Sequence, residues 1–140
     1  MDFTLGEKEL GLKEGIRKFA EAQLPPDLLR NTLIDGEFRD FEFEVSMSTK
    51  LAQRGWLVMS WPEQYGGRGA SLWEQTIYEM EIAYWNVPGA WMGISGTQWV
   101  GPCLMMFGSE EQKNKYLALI GSGGKDGFWC TGYSEPNAGS

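Results

Sequence analysis

Apolar side chains recur at helical spacing along most of the chain, and this pattern predicts a mainly α-helical fold. The first helix is predicted to start at a capping box over residues 4–7 and to stop at the prolines of residues 25–26. A second helix is predicted over residues 40–54, ended by Gly55. The predicted inward residues of these two helices are Leu12, Ile16, Phe19, Ala20, Phe41, Val45, Ser48, Leu51 and Ala52.

Two further capping boxes, over residues 71–74 and 109–112, predict the starts of two more helices. The first of these helices is expected to reach about residue 86, and the second is expected to close at Gly121. Their predicted buried residues are Ile77, Met80, Ala83 and Tyr84 in the first, and Tyr116, Leu117 and Ile120 in the second.

Residues 82–109 carry no charge, a length sufficient to cross a bilayer of roughly 30 Å. Two prolines and five glycines interrupt this segment, and it contains several polar side chains. A helix exposed to lipid would leave the freed backbone groups unsatisfied. We therefore expect a helix over residues 90–107 that is buried in protein or lines a cavity, and no membrane span.

The pattern changes after Gly121. Residues 122–127 are rich in turn formers, residues 127–134 have strand character, and residues 135–140 form a loop. A lone strand cannot satisfy its backbone hydrogen bonds, so either the chain is a fragment or a partner completes the sheet. We favour the fragment, with a helical domain over residues 1–123 and the start of a β domain over residues 124–140.

Composition narrows the chemistry. The 140 residues include 12 Lys+Arg, 19 Asp+Glu and no histidine, which gives a formal net charge of −7. Without imidazole the chain cannot build a Ser-His-Asp or Cys-His catalytic site or a histidine-ligated zinc site, and we expect no metal site. The acidic balance also argues against nucleic-acid binding, which depends on clustered Lys and Arg.

The cysteines and the N-terminus point to a cytoplasmic protein. Cys103 and Cys130 are too far apart for a CxxC site, and we interpret both as reduced and at least partly buried. The chain begins with no apolar run of the kind that a secretory signal requires.

Three motifs carry a resemblance to a known family. Residues 51–56 (LAQRGW) lead into a tight glycine turn over residues 61–67 (WPEQYGG), residues 107–113 read FGSEEQK, and residues 134–140 read SEPNAGS. Taken alone, the glycine turn is more typical of a structural connection between helices than of a functional loop. In this order and at this spacing, the three motifs resemble those of the acyl-CoA dehydrogenase family.

The resemblance implies the family's N-terminal α-helical domain, followed by the first strand of its middle β domain. It implies a flavin oxidoreductase of fatty acid metabolism that binds FAD, oxidises an acyl-CoA to the 2,3-enoyl-CoA and passes electrons to an electron-transfer flavoprotein. A homo-oligomer, either a dimer or a tetramer, is implied as well. The family's catalytic glutamate lies C-terminal to this segment, so we expect no catalytic residue within residues 1–140, and the chain alone should be inactive.

Site residues follow from the resemblance, position by position. Ser134 replaces the family's usual threonine and would hydrogen-bond the flavin edge, whereas Thr131 stands where relatives often carry an aromatic residue. The implied cofactor-binding residues are Thr131, Tyr133, Ser134, Gly139 and Ser140. The implied substrate-binding residues are Thr97, Trp99 and Ser140. The alternative is a turn that binds no ligand.

The charge-free segment would contribute to the acyl cavity, because such a pocket should be apolar. Trp99 is bulkier than the residue often found there in relatives, which suggests a short, branched or otherwise atypical acyl group. The alternative is that the aromatic residues of this segment belong to an ordinary core. A rival function is a non-catalytic helical interaction module, or one subunit of a hetero-oligomeric flavoprotein.

Overall fold

A computed structural model describes residues 4–26 and 40–138, and these residues are mainly helical. The α-helices are α1 (Glu7–Gln23), α2 (Phe41–Ala52), α3 (Leu72–Tyr84), α4 (Gly101–Phe107) and α5 (Glu110–Gly121). A π-helix, Ser95–Val100, directly precedes α4, and single-turn 3₁₀-helices occupy Glu63–Tyr65 and Lys125–Gly127. The predicted mainly α fold is confirmed.

The starts of α3 and α5 are the capping boxes that the sequence predicts. The Ser71 hydroxyl accepts from the Glu74 N–H at 3.2 Å, and the Glu74 carboxylate accepts from the Ser71 N–H at 2.9 Å. Ser109 and Gln112 exchange the same pair of bonds at 3.2 and 2.8 Å. Each box therefore satisfies two N–H groups that would otherwise lack a partner at the helix start.

The start predicted for α1 is shifted. The helix begins at Glu7, two residues later than a Thr4 N-cap would place it, and its N-cap is Gly6, without a side-chain cap hydrogen bond. Helix α2 begins at Phe41, one residue after the predicted start, and the carboxylate of its N-cap Asp40 accepts from the Glu42 N–H at 2.9 Å.

The core lies between α1, α2 and α3 and is filled by the irregular segment of residues 56–61. Its buried members include Ile16, Phe19, Ala20, Met47, Leu51, Trp56, Leu57, Val58, Met59, Trp61, Tyr78, Ile82, Leu117 and Ile120. Ion pairs from α1 to α3 flank it, Lys8 with Glu74 at 3.0 Å and Lys13 with Glu81 at 3.2 Å. Helix α1 therefore covers the face of α3 that carries these two glutamates.

That packing corrects the predicted inward faces. Ile77 is buried as expected, but Met80 and Tyr84 are 66% and 69% exposed, while Tyr78 and Ile82 are buried in their place. The reason is that α1 packs against the neighbouring face of α3, the one that carries Glu74, Tyr78 and Glu81. Phe41 of α2 is also 48% exposed, although its ring contacts that of Phe128.

The helix predicted over residues 90–107 is formed only from Ser95 onward. Gly89 and Gly93 have φ angles of 77° and 66°, a left-handed conformation that interrupts a right-handed helix. Among the described residues, no helix is long and apolar enough to cross a membrane.

The strand predicted over residues 127–134 is not formed. Residues 128–134 run without a hydrogen-bonded ladder, and the nearest pairing is an isolated bridge between Glu135 and Ala138. An extended segment becomes a strand only beside a partner strand, and the described residues supply none. Cys103 and Cys130 are both exposed free thiols, so their predicted burial is wrong as well.

Candidate functional site

The π-helix carries both predicted substrate-binding residues of the described chain, Thr97 and Trp99. It closes with a hydrogen bond from the Gly101 N–H to the Gly96 carbonyl, five residues back, which gives the wide turn of a π-helix. Gly101 has to be glycine because an added Cβ would lie 2.0 Å from Cζ2 of Trp61. Such π-helical turns often occur at functional sites.

Trp61 fixes the π-helix from the inside. Its indole Nε1–H donates to the Thr97 carbonyl at 3.1 Å, and the side chain is only 2% exposed. The aromatic residue that opens the glycine turn of residues 61–67 thus binds the backbone of the predicted acyl segment. The turn itself is tight, because Gly66 has a φ of 86° and an added Cβ at Gly67 would lie 2.0 Å from the Trp61 carbonyl oxygen.

Thr97 and Trp99 differ in their accessibility. Thr97 is 7% exposed, and its hydroxyl donates to the Gly93 carbonyl at 3.4 Å. Trp99 is 46% exposed. Several apolar side chains near it in the sequence are exposed as well, among them Trp91, Ile94, Met106 and Phe107. This region therefore presents an apolar surface, and Thr97 supports its backbone rather than its outer face.

The start of the C-terminal segment is anchored on the same π-helix. An added Cβ at Gly96 would lie 3.2 Å from Cδ1 of Trp129, and the Trp129 ring stacks edge-on against Tyr116 at 5.5 Å. An added Cβ at Gly127 would lie 2.1 Å from the Leu119 carbonyl oxygen, so the chain passes directly over α5. The structure thus connects the predicted substrate segment to the start of the predicted cofactor segment.

Beyond Trp129 the chain is exposed. Thr131, Tyr133 and Ser134 are all exposed, and Tyr133 reaches 83%. Glu135 and Ala138 exchange backbone hydrogen bonds of 2.7 and 3.1 Å that close a tight turn. The predicted residues Gly139 and Ser140 lie outside the described residues.

The exposed residues offer the groups that a flavin nucleotide requires. Within the described chain, neither the Thr131 nor the Ser134 hydroxyl makes a hydrogen bond, and the backbone N–H groups of residues 129–134 have no backbone acceptor. Free hydroxyls and N–H groups on an irregular backbone suit the polar edge and the phosphates of such a ligand. The described part of the candidate cofactor segment therefore fits the group.

The acidic residues at helix starts serve the fold. Hydrogen bonds from Ser71, first from its backbone, and from Lys8 lower the pKa of Glu74 from its ordinary 4.5 to about 2. Glu110, in the first turn of α5, pairs with Lys113 at 2.9 Å. Among the described residues, no group of three or more metal-ligating side chains is close enough to hold an ion.

Sequence reasoning missed Trp61, Gly96 and Gly101 as the residues that shape this region. The available signal was the pair of glycines inside a helical pattern, because a glycine there often marks the close approach of another group. Which side chain approaches could not be predicted, since Trp61 lies 36 residues from Thr97 along the chain.

Comparisons with known proteins agree on one family. The sequence profile described as "Acyl-CoA dehydrogenase, N-terminal domain" matches residues 6–124. The chain is 31% identical over 142 residues to acyl-CoA dehydrogenase FadE26 of Mycobacterium tuberculosis, covering 100% of this chain and 34% of that protein. It is also 31% identical over 137 residues to the mitochondrial short-chain specific acyl-CoA dehydrogenase of Bos taurus, covering 97% of this chain and 31% of that protein.

A solved structure has the same fold. The crystal structure of the ChsE4-ChsE5 complex from Mycobacterium tuberculosis superimposes with a TM-score of 0.74 at 27% identity, covering 99% of this chain and 33% of the matched chain. The chain thus spans about a third of the length of the relatives that it matches.

Proposed function

The chain belongs to the acyl-CoA dehydrogenase family through that family's N-terminal domain, and we propose that it serves an FAD-dependent oxidation of an acyl-CoA to the 2,3-enoyl-CoA. The observation that carries the proposal is the junction at the π-helix. There, one element positions both the apolar surface around Trp99 and the start of the exposed segment that contains Ser134.

FAD, when bound, would supply the hydride acceptor for this oxidation. Thr131, Tyr133 and Ser134 would hold it, together with Gly139 and Ser140, through hydroxyl and backbone N–H groups. Trp129 contacts Gly96 and Tyr116, so the point from which these residues leave the helical domain is held in place. Holding the start of a binding segment in advance would lower the entropy cost of binding.

The acyl group would contact the apolar surface near Trp99, with Thr97 holding the backbone behind it and Ser140 near the thioester arm. The bulk of a tryptophan at this position favours short or branched acyl groups. We expect the full-length enzyme to turn over short and branched acyl-CoA substrates faster than long straight ones. Equal or faster turnover of long straight substrates would disprove this preference.

The catalytic base is proposed to lie outside this chain, in the two thirds of the family's length that the chain does not span. The proposed organisation is a helical domain over residues 1–123 and the beginning of a β domain over residues 124–140. Electron transfer to an electron-transfer flavoprotein, a homo-oligomeric state and a cytoplasmic location complete the proposal. Residues 1–140 alone should show no dehydrogenase activity and little FAD affinity.

The test is flavin binding by the full-length protein that carries this chain. The purified protein should be yellow, with flavin absorbance, and Ser134→Ala should weaken FAD binding by about tenfold through the loss of one hydrogen bond. Ser60→Ala is the matched control, because Ser60 is also exposed but lies on a different segment. A colourless protein that stays free of flavin after FAD is added would refute the proposal.

A second candidate function is a subunit of a hetero-oligomeric flavoprotein. The observation in its favour is that the structural match is to a complex of two differently named chains, ChsE4 and ChsE5. Co-purification of a second, different chain in fixed stoichiometry would support this candidate. A single species of one chain by mass spectrometry of the native assembly would support the homo-oligomer instead.

A further inference from the structure

A basic cleft is lined in part by α1 and contains none of the residues assigned above to the flavin or the acyl group. It is open and has a volume of about 430 Å³. Its lining residues are Gly15, Lys18, Phe19, Ala22, Arg54, Trp56 and Arg68. Three cations thus share one cleft in a chain whose formal net charge is −7. Like charges repel at short range, so this grouping requires a reason.

The guanidinium of Arg54 is held in place by aromatic rings. Its Cζ lies 4.6 Å from the centroid of the Phe19 ring and 5.7 Å from that of Trp56, and the two rings pack edge-on against each other at 5.7 Å. One of its five N–H donors is used, from Nη1 to the Lys50 carbonyl at 3.3 Å. Among the described residues, the remaining donors have no hydrogen-bond acceptor.

Arg68 approaches the same cleft from the glycine turn. Gly55 has a φ of 65°, and a Cβ added there would lie 3.0 Å from Cγ of Arg68, so the close approach of this side chain depends on a glycine. Within the described residues, no carboxylate lies within ion-pair distance of Arg54 or Arg68, and Lys18 pairs only with Glu14, at 3.5 Å. The C-terminal end of α2 favours one cation through its dipole. It does not explain the second guanidinium.

We propose that this cleft binds a small organic anion that carries a carboxylate or phosphate on an apolar body. The planar guanidinium fork matches both of these oxyanions in a bidentate geometry. The rings of Phe19 and Trp56, with Gly15 and Ala22, form the apolar wall against which the rest of the ligand would pack. The site shares no residue with the proposed flavin and acyl positions. The proposal for this cleft can therefore be tested independently of the proposed function.

Isothermal titration calorimetry on the full-length protein, at constant ionic strength, tests the proposal with four probes: phenyl phosphate, benzoate, inorganic phosphate and phenol. We expect phenyl phosphate or benzoate to bind more tightly than either inorganic phosphate or phenol. The stronger of the two aromatic anions identifies the oxyanion that the cleft prefers. Phenol that binds as tightly as both aromatic anions would overturn the proposal, because the cations would then be irrelevant.

Charge-removing variants locate the binding. Arg68→Gln and Arg54→Gln should each raise the dissociation constant of the preferred anion by about tenfold, through the loss of charge-assisted hydrogen bonds. Lys115→Gln is the matched control, because Lys115 lies over the Tyr116 ring on α5, outside the cleft. Arg68→Gln keeps the test valid if loss of Arg54 disturbs the aromatic packing. Unchanged affinity in a folded Arg68→Gln variant would overturn the proposal.

Discussion

Residues 56–61 and residues 128–134 are both irregular segments rich in aromatic side chains, yet the fold treats them in opposite ways. In the first segment every residue except Ser60 is buried, and Trp61 is 2% exposed. In the second segment exposure rises along the chain, from a half-buried Phe128 to Tyr133 at 83%. The sequences of the two segments do not predict this difference in burial.

The difference arises from backbone partners. The Met59 carbonyl accepts from the N–H groups of Arg68 and Ala70 at 3.2 and 3.0 Å, and the Trp61 carbonyl accepts from Gly69 at 2.8 Å. Among the described residues, no part of the chain returns beside residues 128–134 in this way. A buried backbone must have its polar groups paired. The first segment can therefore be buried, whereas the second, which has no backbone partner among the described residues, stays largely exposed.

The largest expected contrast is between Trp61→Ala and Tyr133→Ala. Trp61→Ala removes a buried indole and its hydrogen bond to Thr97, and should lower the free energy of unfolding by about 3–5 kcal/mol. Tyr133→Ala should change it by less than about 0.5 kcal/mol, because the side chain is exposed. Urea denaturation followed by circular dichroism measures both. Equal losses in the two variants would contradict the comparison.

Two glycine substitutions sharpen the same contrast. Alanine is favoured over glycine inside a helix by about 1 kcal/mol, but a Cβ at Gly101 would lie 2.0 Å from the Trp61 ring. Overpacking of this kind costs about 1–3 kcal/mol or more, so Gly101→Ala should be net destabilising. Gly132→Ala is the matched control, because nothing lies within 4 Å of its added Cβ. Thermal unfolding midpoints would show whether only the first variant is destabilised.

A smaller effect is expected where the buried segment leads into α3. Ser71→Ala removes the hydroxyl of the capping box and should cost about 1 kcal/mol. Amide hydrogen exchange should accelerate at Ala70 and in the first turn of α3, while residues 131–134 exchange at the same rate as before. Faster exchange in that terminal stretch would mean that the two segments are coupled.

The smallest expected effect is a response to acid. Because the pKa of Glu74 is lowered from 4.5 to about 2, its contribution to stability is present above its ordinary value and is lost as pH falls from about 4.5 to about 2. Glu74→Gln should flatten this part of the stability–pH curve, whereas Glu79→Gln, on the same helix but exposed, should leave it in place. If the stability–pH curve of Glu74→Gln matched that of the unmodified protein, the capping-box carboxylate would not be the source of the acid response.

Local signals predicted the starts of α3 and α5 well. The boxes at Ser71 and Ser109 depend on residues three apart, so their geometry is fixed by the nearby chain. The family resemblance, carried by short motifs of the same kind, is confirmed over residues 6–124. The inward face of α3 was predicted poorly because several stripes of that helix are apolar, and only the docking of α1 selects one of them.

The candidate site was predicted in part. Thr97 and Trp99 do lie on one element, beside the start of the segment that carries Thr131, Tyr133 and Ser134. Their roles toward a flavin and an acyl group stay predictions. The burial of Thr97 and the exposure of Trp99 could not be read from α-helical periodicity, since both lie within a π-helix, whose turns are wider than those of an α-helix.

The sequence by itself determined which family this chain belongs to, where α2, α3 and α5 begin, and that histidine-dependent catalysis is absent from these 140 residues. Only the tertiary structure decided that Trp61 holds the π-helix at Thr97 and that Arg54 and Arg68 share a cleft. It also decided that residues 56–61 are buried whereas residues 128–134 are largely exposed. The physical reason is distance along the chain. Caps and helix periods act over a few residues, whereas burial and charge clustering depend on segments that meet only when the chain folds.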